Sequence, residues 1–236
     1  MNVALIIAGG SGERMRQDIP KQFLNVNDKP VIIYTLEAFQ KHPNIDAITV
    51  VCLDGWHDIL RAYCKQFLIT KLESIVSGGV NGQESIKNGL IDVKKRYNDD
   101  DIILIHDAIR PMVSEEIISD CIRVASIYGN AITAIPCAEA MLKTTDGLTS
   151  SEQVQRDNLR RTQTPQAFKI GSLFDAHEEA KQKGITNSIA SCTLMIELGR
   201  EVSFSLGSEK NIKLTTPDDI EIFKALLKSE KSEWMK

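Results

Sequence analysis

Val3-Ala4-Leu5-Ile6-Ile7-Ala8-Gly9-Gly10-Ser11-Gly12-Glu13-Arg14-Met15 begins two residues into the chain, and Pro20-Lys21-Gln22 follows shortly after. The unbroken apolar run Val3–Ile7 reads as a strand buried on both faces, the kind found in parallel sheets. It stops in glycines, which leave backbone N–H groups uncovered and able to wrap an anion. Arg14 and Lys21 add fixed positive charge to the same loop, as a triphosphate would require. The common phosphate motifs do not fit. There is no Gly-x4-Gly-Lys-Ser/Thr, and a Gly-x-Gly-x-x-Gly reading from Gly10 fails at Met15. The loop therefore predicts a phosphorylated nucleotide held by glycines of another pattern, with a plain tight strand-to-helix turn as the alternative.

Outward from this loop, apolar strands alternate with helical patterns through the first 136 residues. Val31–His42 places Ile32, Leu36 and Phe39 on one helical face, and Ala47–Leu53 is a second continuous apolar strand. Ser74–Val76 is a short third strand running into Gly78-Gly79. Ser85–Tyr97 carries a helical spacing, and Asp101–Ile105 is again strand-like. Ser114 is placed to cap a helix that Gly129 ends, and Ala131–Ile135 is another strand. Such alternation predicts an α/β fold, a mostly parallel sheet with helices on both faces. Ligands of these sheets lie beyond the carboxyl ends of the strands.

From about Cys137 the pattern changes. Glu139–Gln163 is polar and holds Arg156, Arg160 and Arg161, which suits a projecting arm or an edge hairpin, with a disordered linker as the alternative. Gln163–Phe168 returns to order, Gly171–Lys183 reads as a helix and Val202–Leu206 as a strand. Thr216 then caps a last helix with Pro217 at its first position. The chain is expected to be one domain over 1–228, its arm spanning about 137–163, followed by a charged, frayed tail over 229–236.

Composition narrows the function. A net charge of −4 argues against a surface that coats nucleic acid. No apolar stretch is long enough to span a membrane, and the N-terminus lacks a basic-then-apolar signal segment. The five cysteines are scattered and never in Cys-x-x-Cys spacing, which suits a reducing cytoplasm and makes a zinc site improbable.

Three strand ends carry chemistry: Ala8–Arg14, Gly78–Ser85 and His106–Pro111. In His106-Asp107-Ala108-Ile109-Arg110-Pro111 the Asp107 carboxylate can hold Mg2+ and Arg110 can grip a phosphate; a buried Asp–Arg ion pair closing the loop is the equal alternative. Gly78-Gly79-Val80-Asn81-Gly82-Gln83-Glu84-Ser85 can approach a base or ribose through backbone groups. Arg160-Arg161-Thr162-Gln163-Thr164-Pro165-Gln166 suits a phosphorylated, polar ligand, although arginines on an arm are more often solvated. Lys213, flanked by Ile212 and Leu214, is expected at a strand end, pointing into a site or snorkelling to solvent.

These segments, in this order, resemble the cytidylyltransferase family that contains 2-C-methyl-D-erythritol 4-phosphate and ribitol-5-phosphate cytidylyltransferases. The matching pieces are Ala8–Met15, Pro20–Phe23, His106–Pro111, Thr164–Phe168 and Asn211–Lys213. The resemblance implies a Rossmann-like nucleotidyltransferase domain, a β-arm exchanged across a homodimer, and Mg2+-dependent transfer of CMP from CTP to a polyol phosphate with release of pyrophosphate. It further implies that Arg14, Lys21 and Lys213 act on the phosphates, and that Ala8, Gly9, Gly10, Gly79, Ser85 and Ala108 line the nucleotide pocket. By the same resemblance Asp107 serves the metal, while Asp107, Arg110, Thr164 and Thr186 face the acceptor, as does Arg156 from the neighbouring subunit. In-line attack by an acceptor phosphate needs charge neutralisation and alignment rather than a general base, so the lack of a Ser/His or Cys/His constellation is expected.

Several positions depart from the family pattern: Thr186-Asn187 stands where Thr-Asp is common, Glu139-Ala140 where Asp-Thr is, and Gly82 where many members have arginine. All lie towards the acceptor or the pocket rim. With Lys21-Gln22-Phe23-Leu24 and Trp56, they favour a ribitol-phosphate-like or glycerol-phosphate-like acceptor for envelope or capsule polymers over methylerythritol phosphate. Two readings of other classes stand beside this one: a non-catalytic nucleotide-binding module, and a nicotinamide dehydrogenase, which the failed Gly-x-Gly-x-x-Gly match disfavours.

Overall fold

The apolar run at the N-terminus becomes β1 (Asn2–Ala8), flanked on both sides by parallel neighbours, in a computed structural model that describes residues 1–10 and 19–233. A short turn at Lys21–Phe23 leads to the two-residue strands β2 (Asn25–Val26) and β3 (Lys29–Pro30), then α1 (Val31–Lys41). There follow β4 (Ala47–Cys52), α2 (His57–Gln66), β5 (Leu72–Ser77), α3 (Gly82–Lys94), β6 (Ile102–Asp107), α4 (Glu115–Tyr128) and β7 (Asn130–Pro136). An exposed hairpin, β8 (Met141–Lys143) and β9 (Glu152–Val154), precedes β10 (Arg160–Lys169). The chain ends with α5 (Ile170–Gln182), α6 (Ser191–Glu197), β11 (Phe204–Leu206) and α7 (Pro217–Glu233).

The main sheet runs β11-β7-β10-β6-β1-β4-β5. Every pairing in it is parallel except those of β10, which lies antiparallel between β6 and β7. The chain lays β1, β4 and β5 outward in one direction, then crosses back to place β6 on the other side of β1. That reversal opens a crevice at the carboxyl ends of β1 and β6, where ligands of doubly wound sheets sit. Because β10 runs the other way, its early residues, Thr164 among them, reach the same edge.

Period-two alternation sorts the strands onto two faces. Ala4, Ile6, Ile48 and Val50 pack beneath α1, α2 and α4; Val3, Leu5, Val51 and Ile103 pack beneath α3, α5 and α6. A smaller cluster of Val26, Val31, Ile109, Met112, Leu214 and Phe223 docks α7 beside the β6 loop. Ser114 Oγ accepts the Ile117 N–H as the α4 cap, and Gly129 ends that helix at φ +80°, a conformation glycine takes without strain.

The structure corrects several sequence expectations. α3 begins at Gly82, capped by Asn81, three residues before the expected start at Ser85. The arm closes earlier than Gln163, because Arg160 already pairs with Pro136. Thr164 and Pro165, joined by a cis peptide bond, lie inside β10, where the register with β7 shifts between Thr162 and Gln166. Lys213 sits in an irregular segment after β11 rather than at a strand end. α7 runs through Glu233, past the point where a frayed tail is expected. No helix among the described residues is long and apolar enough to cross a membrane.

Candidate functional site

The cleft over the β1/β6 crevice has a volume of about 440 Å3 and is lined by residues from both halves of the chain. Ala8, Gly9 and Gly10 form one side, Gly79, Asn81, Gly82 and Ser85 a second, and Asp107, Ala108 and Lys213 a third, with Lys21 at the rim. Arg14 lies outside the described residues. The remaining nucleotide-pocket residues implied by the resemblance are thus brought together, although they come from three different strand ends.

Close packing explains the glycines. A Cβ on Gly9 would meet Gly78 Cα at 3.3 Å and Ser85 Oγ at 3.4 Å, so the loops after β1 and β5 touch. A Cβ on Gly79 would run into the Glu84 side chain. Ser85 Oγ accepts the Gly79 N–H at 3.0 Å, and Asn81 caps α3 by accepting the Glu84 N–H at 2.9 Å. Gln22, a buried residue of the cleft lining, donates to the carbonyls of Ala8 (2.8 Å) and Gly10 (3.0 Å) and so fastens the Lys21 turn to the glycine loop. The Thr35 hydroxyl on α1 holds the Ala108 carbonyl at 2.8 Å.

The third wall is electrostatic. Asp107 Oδ2 receives Lys213 Nζ at 3.1 Å and Arg110 Nε at 3.2 Å. Burial alone would push this carboxyl up; the Lys213 ammonium and the Arg110 guanidinium outweigh it and hold the group below its ordinary range. Of the two sequence readings of the segment, the ion pair is the one seen in the structure. Arg110 also donates to the Asn211 carbonyl at 2.7 Å, turned towards the protein rather than lining the cleft. Asp107 does line it. Lys213 is therefore carried into the cleft by Asn211, which Arg110 holds and whose Nδ2 donates to the Thr164 carbonyl at 2.9 Å.

His106, fully buried, completes the support. Its Nε2 lies 3.2 Å from the Arg110 carbonyl and its Nδ1 3.1 Å from Thr164 Oγ1. Burial pushes its pKa down to about 4, so the ring is neutral. A carbonyl can only accept, which puts the ring proton on Nε2 and makes Nδ1 an acceptor. The Thr164 hydroxyl must then donate to His106 while accepting the Asp107 N–H at 3.1 Å. Its proton is spent inside the protein, and only a lone pair remains for a ligand. Sequence reasoning passed over His106, Gln22 and Asn211; the signals present were their places within the matching motifs.

Of the five residues expected to face the acceptor only Asp107 lines this cleft; Arg110 and Thr164 stand behind it, bonded to Asp107, and the other two lie apart. Thr186 lines an adjacent cavity, its carbonyl held by Asn81 Nδ2 at 2.9 Å. Arg156 is exposed at the base of the hairpin, donating to the Ala138 carbonyl at 2.8 Å. Glu139, at the departing Glu139-Ala140 pair, lies 3.9 Å from Arg161.

A crevice so placed, walled by bare backbone and bearing lysines, defines an α/β protein that takes up phosphorylated nucleotides. Comparison with known proteins narrows the class. The family model for IspD, 2-C-methyl-D-erythritol 4-phosphate cytidylyltransferase, matches residues 2–229, and the chain belongs to this family of cytidylyltransferases. It is 44% identical to a ribitol-5-phosphate cytidylyltransferase of Lacticaseibacillus paracasei, over 98% of this chain and 99% of that one. It is 40% identical to the protein of the same name from Vibrio parahaemolyticus, over 98% of each. A crystal structure of 4-diphosphocytidyl-2C-methyl-D-erythritol synthase superposes with a TM-score of 0.80 at 26% identity, covering 96% of this chain and 98% of that one.

Proposed function

We propose that this enzyme transfers CMP from CTP to ribitol 5-phosphate or a similarly small polyol phosphate, giving a CDP-polyol and pyrophosphate for an envelope or capsular polymer. One observation carries the reading: Lys21 and Lys213, from opposite ends of the chain, line a single cleft with Asp107 and the backbone of Gly9, Gly10 and Gly79. The relatives at 40–44% identity bear the ribitol-phosphate name, and they support that acceptor. Methylerythritol phosphate is the second acceptor, favoured by the family's own description.

The acceptor phosphate is already an anion near neutral pH, so the chain has no proton to remove from it. What it must supply is alignment and positive charge along the path from the attacking oxygen to the leaving pyrophosphate. Lys213 and Lys21 supply the charge at the cleft walls, with Arg14 assigned to the same task by resemblance. Gly9, Gly10 and Gly79 let the nucleotide approach the backbone closely, and Ser85 fixes the Gly79 strap. Thr164, its proton committed to His106, offers an acceptor hydroxyl a lone pair. Arg110 is assigned to hold Asp107 and Asn211 in place rather than to grip substrate.

Asp107 is the group that would hold Mg2+. The donor set fits: a single carboxylate lining the cleft suits magnesium, which is usually bound by one or two carboxylates together with substrate phosphates. When bound, the ion would neutralise charge on the α-phosphate and the leaving group. Arg156, exposed on the hairpin, is assigned to the site of a second copy in a homodimer. Five free, buried cysteines suit a reducing cytoplasm.

The test is an acceptor screen. Purified protein with CTP and Mg2+ is given ribitol 5-phosphate, glycerol 3-phosphate or methylerythritol phosphate, and pyrophosphate is measured. Ribitol 5-phosphate is expected to give the highest kcat/KM, and Lys213→Ala to lower it by roughly 100-fold or more at unchanged fold. Pyrophosphate from none of them would overturn the reading.

A further inference from the structure

Lys21 reaches the cleft from a turn too short to hold its own shape. The turn Lys21–Phe23 is a single winding of 3-10 helix, and at about three residues per winding its side chains leave the axis roughly 120° apart. Lys21 lines the cleft, the Gln22 amide is committed to the Ala8 and Gly10 carbonyls, and the buried Phe23 ring lies against Trp56. How Gln22 and Phe23 are seated therefore sets where the Lys21 side chain points. The Phe23 and Trp56 rings are stacked, with centroids 4.5 Å apart and planes inclined by 21°. Trp56 is in turn mounted on the sheet. Every residue of β4 is buried, and just beyond its carboxyl end the Trp56 N–H donates to the Leu53 carbonyl at 3.1 Å, across a tight turn in which Gly55 takes φ +82°. Trp56 also holds the position that opens α2, where Ser, Thr, Asp or Asn is favoured, and no side chain caps that helix. The helix forgoes a cap, and the ring gains its place on Phe23.

We propose that Trp56, which does not itself line the cleft, is a positioning residue for the nucleotide's phosphates, acting through Phe23 on Lys21. A lysine ammonium is a point charge on a flexible four-carbon stem, so its placement depends on the backbone that carries it. Gln22 alone is a single point of attachment, about which so short a turn can roll. The ring stack is the second point, on a different side of the turn, and two points fix the roll. An aliphatic side chain at position 56 fills the same space but does not fix the tilt of the Phe23 ring, because the preference for offset stacking belongs to aromatic pairs. Leu53, where the Trp56 turn begins, lines the same cleft, so the ring ties the Lys21 side of the cleft to the end of β4.

The test is a double-mutant cycle on CTP binding, measured by calorimetry with Mg2+ and no acceptor, so that inactive variants are still readable. Trp56→Leu is expected to raise the CTP dissociation constant about fivefold, and Trp56→Phe, which keeps a ring, by less than about twofold. In a Lys21→Ala background the ammonium is gone, and Trp56→Leu is expected to change the constant by less than about 1.5-fold. A ring that merely stabilised the fold would weaken binding by the same factor in both backgrounds. Equal factors would therefore overturn the proposal, as would parental affinity in Trp56→Leu. If Trp56→Leu does not fold, Trp56→Met carries the same comparison. This role rests on the CTP reading above, and the two fail differently. Absence of CTP binding by the parent sinks that reading, whereas CTP binding with equal factors in the two backgrounds sinks only the role of Trp56.

Discussion

His106 and His177 are both buried neutral, and that choice of protonation state is written into the stability of the enzyme. Each folded pKa sits near 4, below the value of about 6.5 expected for the unfolded chain. A depressed histidine contributes stability that is fully present above about pH 6.5 and is lost as the pH falls towards 4, because only the unfolded chain takes up the proton in that interval. Each ring therefore adds a slope of up to about 1.4 kcal/mol per pH unit across the window. Denaturant titrations between about pH 6 and pH 4.5 are expected to show a flatter dependence for His177→Phe than for the parent, by about that amount. An unchanged slope would mean that His177 is not held neutral by burial. Asp107 and the other carboxylates held low contribute their own loss only at more acidic pH. At this scale the sequence offered the local partner, Arg110 three residues from Asp107, but not the distant one. Lys213 meets Asp107 across more than a hundred residues of chain, and nothing local announces that encounter.

Elements were legible where their ends carried chemical punctuation. α4 has Ser114 at one end and Gly129 at the other, and both were readable. α2 has neither. Its cap position is Trp56, no side chain bonds its first turn, and only Leu60 and Cys64 are buried. α6, at seven residues, is too short to display a period. β10 is obscured for a different reason: Pro165 sits in the middle of a central strand, where a missing N–H ordinarily forbids one, and the register shift between Thr162 and Gln166 absorbs it. The fit of α3 against the sheet gives a measurable consequence. A methyl group on Gly89 would stand 2.5 Å from Leu5 Cδ1 and 2.7 Å from Val51 Cγ2. Gly89→Ala is expected to cost about 1–3 kcal/mol through overpacking, read as a fall in the denaturant midpoint. A neutral effect would show that α3 can lift from β1 and β4 without penalty.

For the whole molecule, the sheet gathers the loops after β1, β5 and β6 and the middle of β10 at one edge, but the segment that carries Arg156 contributes no residue to the cleft lining. The proposed homodimer resolves that separation, since a second copy then supplies the missing guanidinium. Co-expressing Arg156→Ala with Lys213→Ala tests it. In mixed dimers one site has both residues intact, so random pairing is expected to restore about a quarter of the parental sites, although each variant alone is impaired. No recovery above the two separate variants would place Arg156 outside the partner's site. The overall architecture, a mostly parallel sheet covered on both faces, was open to reading because continuous apolar strands alternate with helices; the order in which β10 and β7 enter the sheet was not, because no local pattern encodes which strand lies beside which.

Both ends of the hairpin are anchored in adjacent strands, β7 and β10, while the loops at Ala8, Gly79 and Asp107 that would grip the nucleotide come from earlier in the chain. The hairpin is thus a graft on a finished chassis, entering and leaving through neighbouring doorways. Transplanting residues 137–159 from a methylerythritol-type relative would leave β1, β4, β5 and β6 untouched. A change of acceptor that worked through Glu139 and Ala140 would need no new framework, whereas one that worked through Gly82 would alter the cleft's own wall.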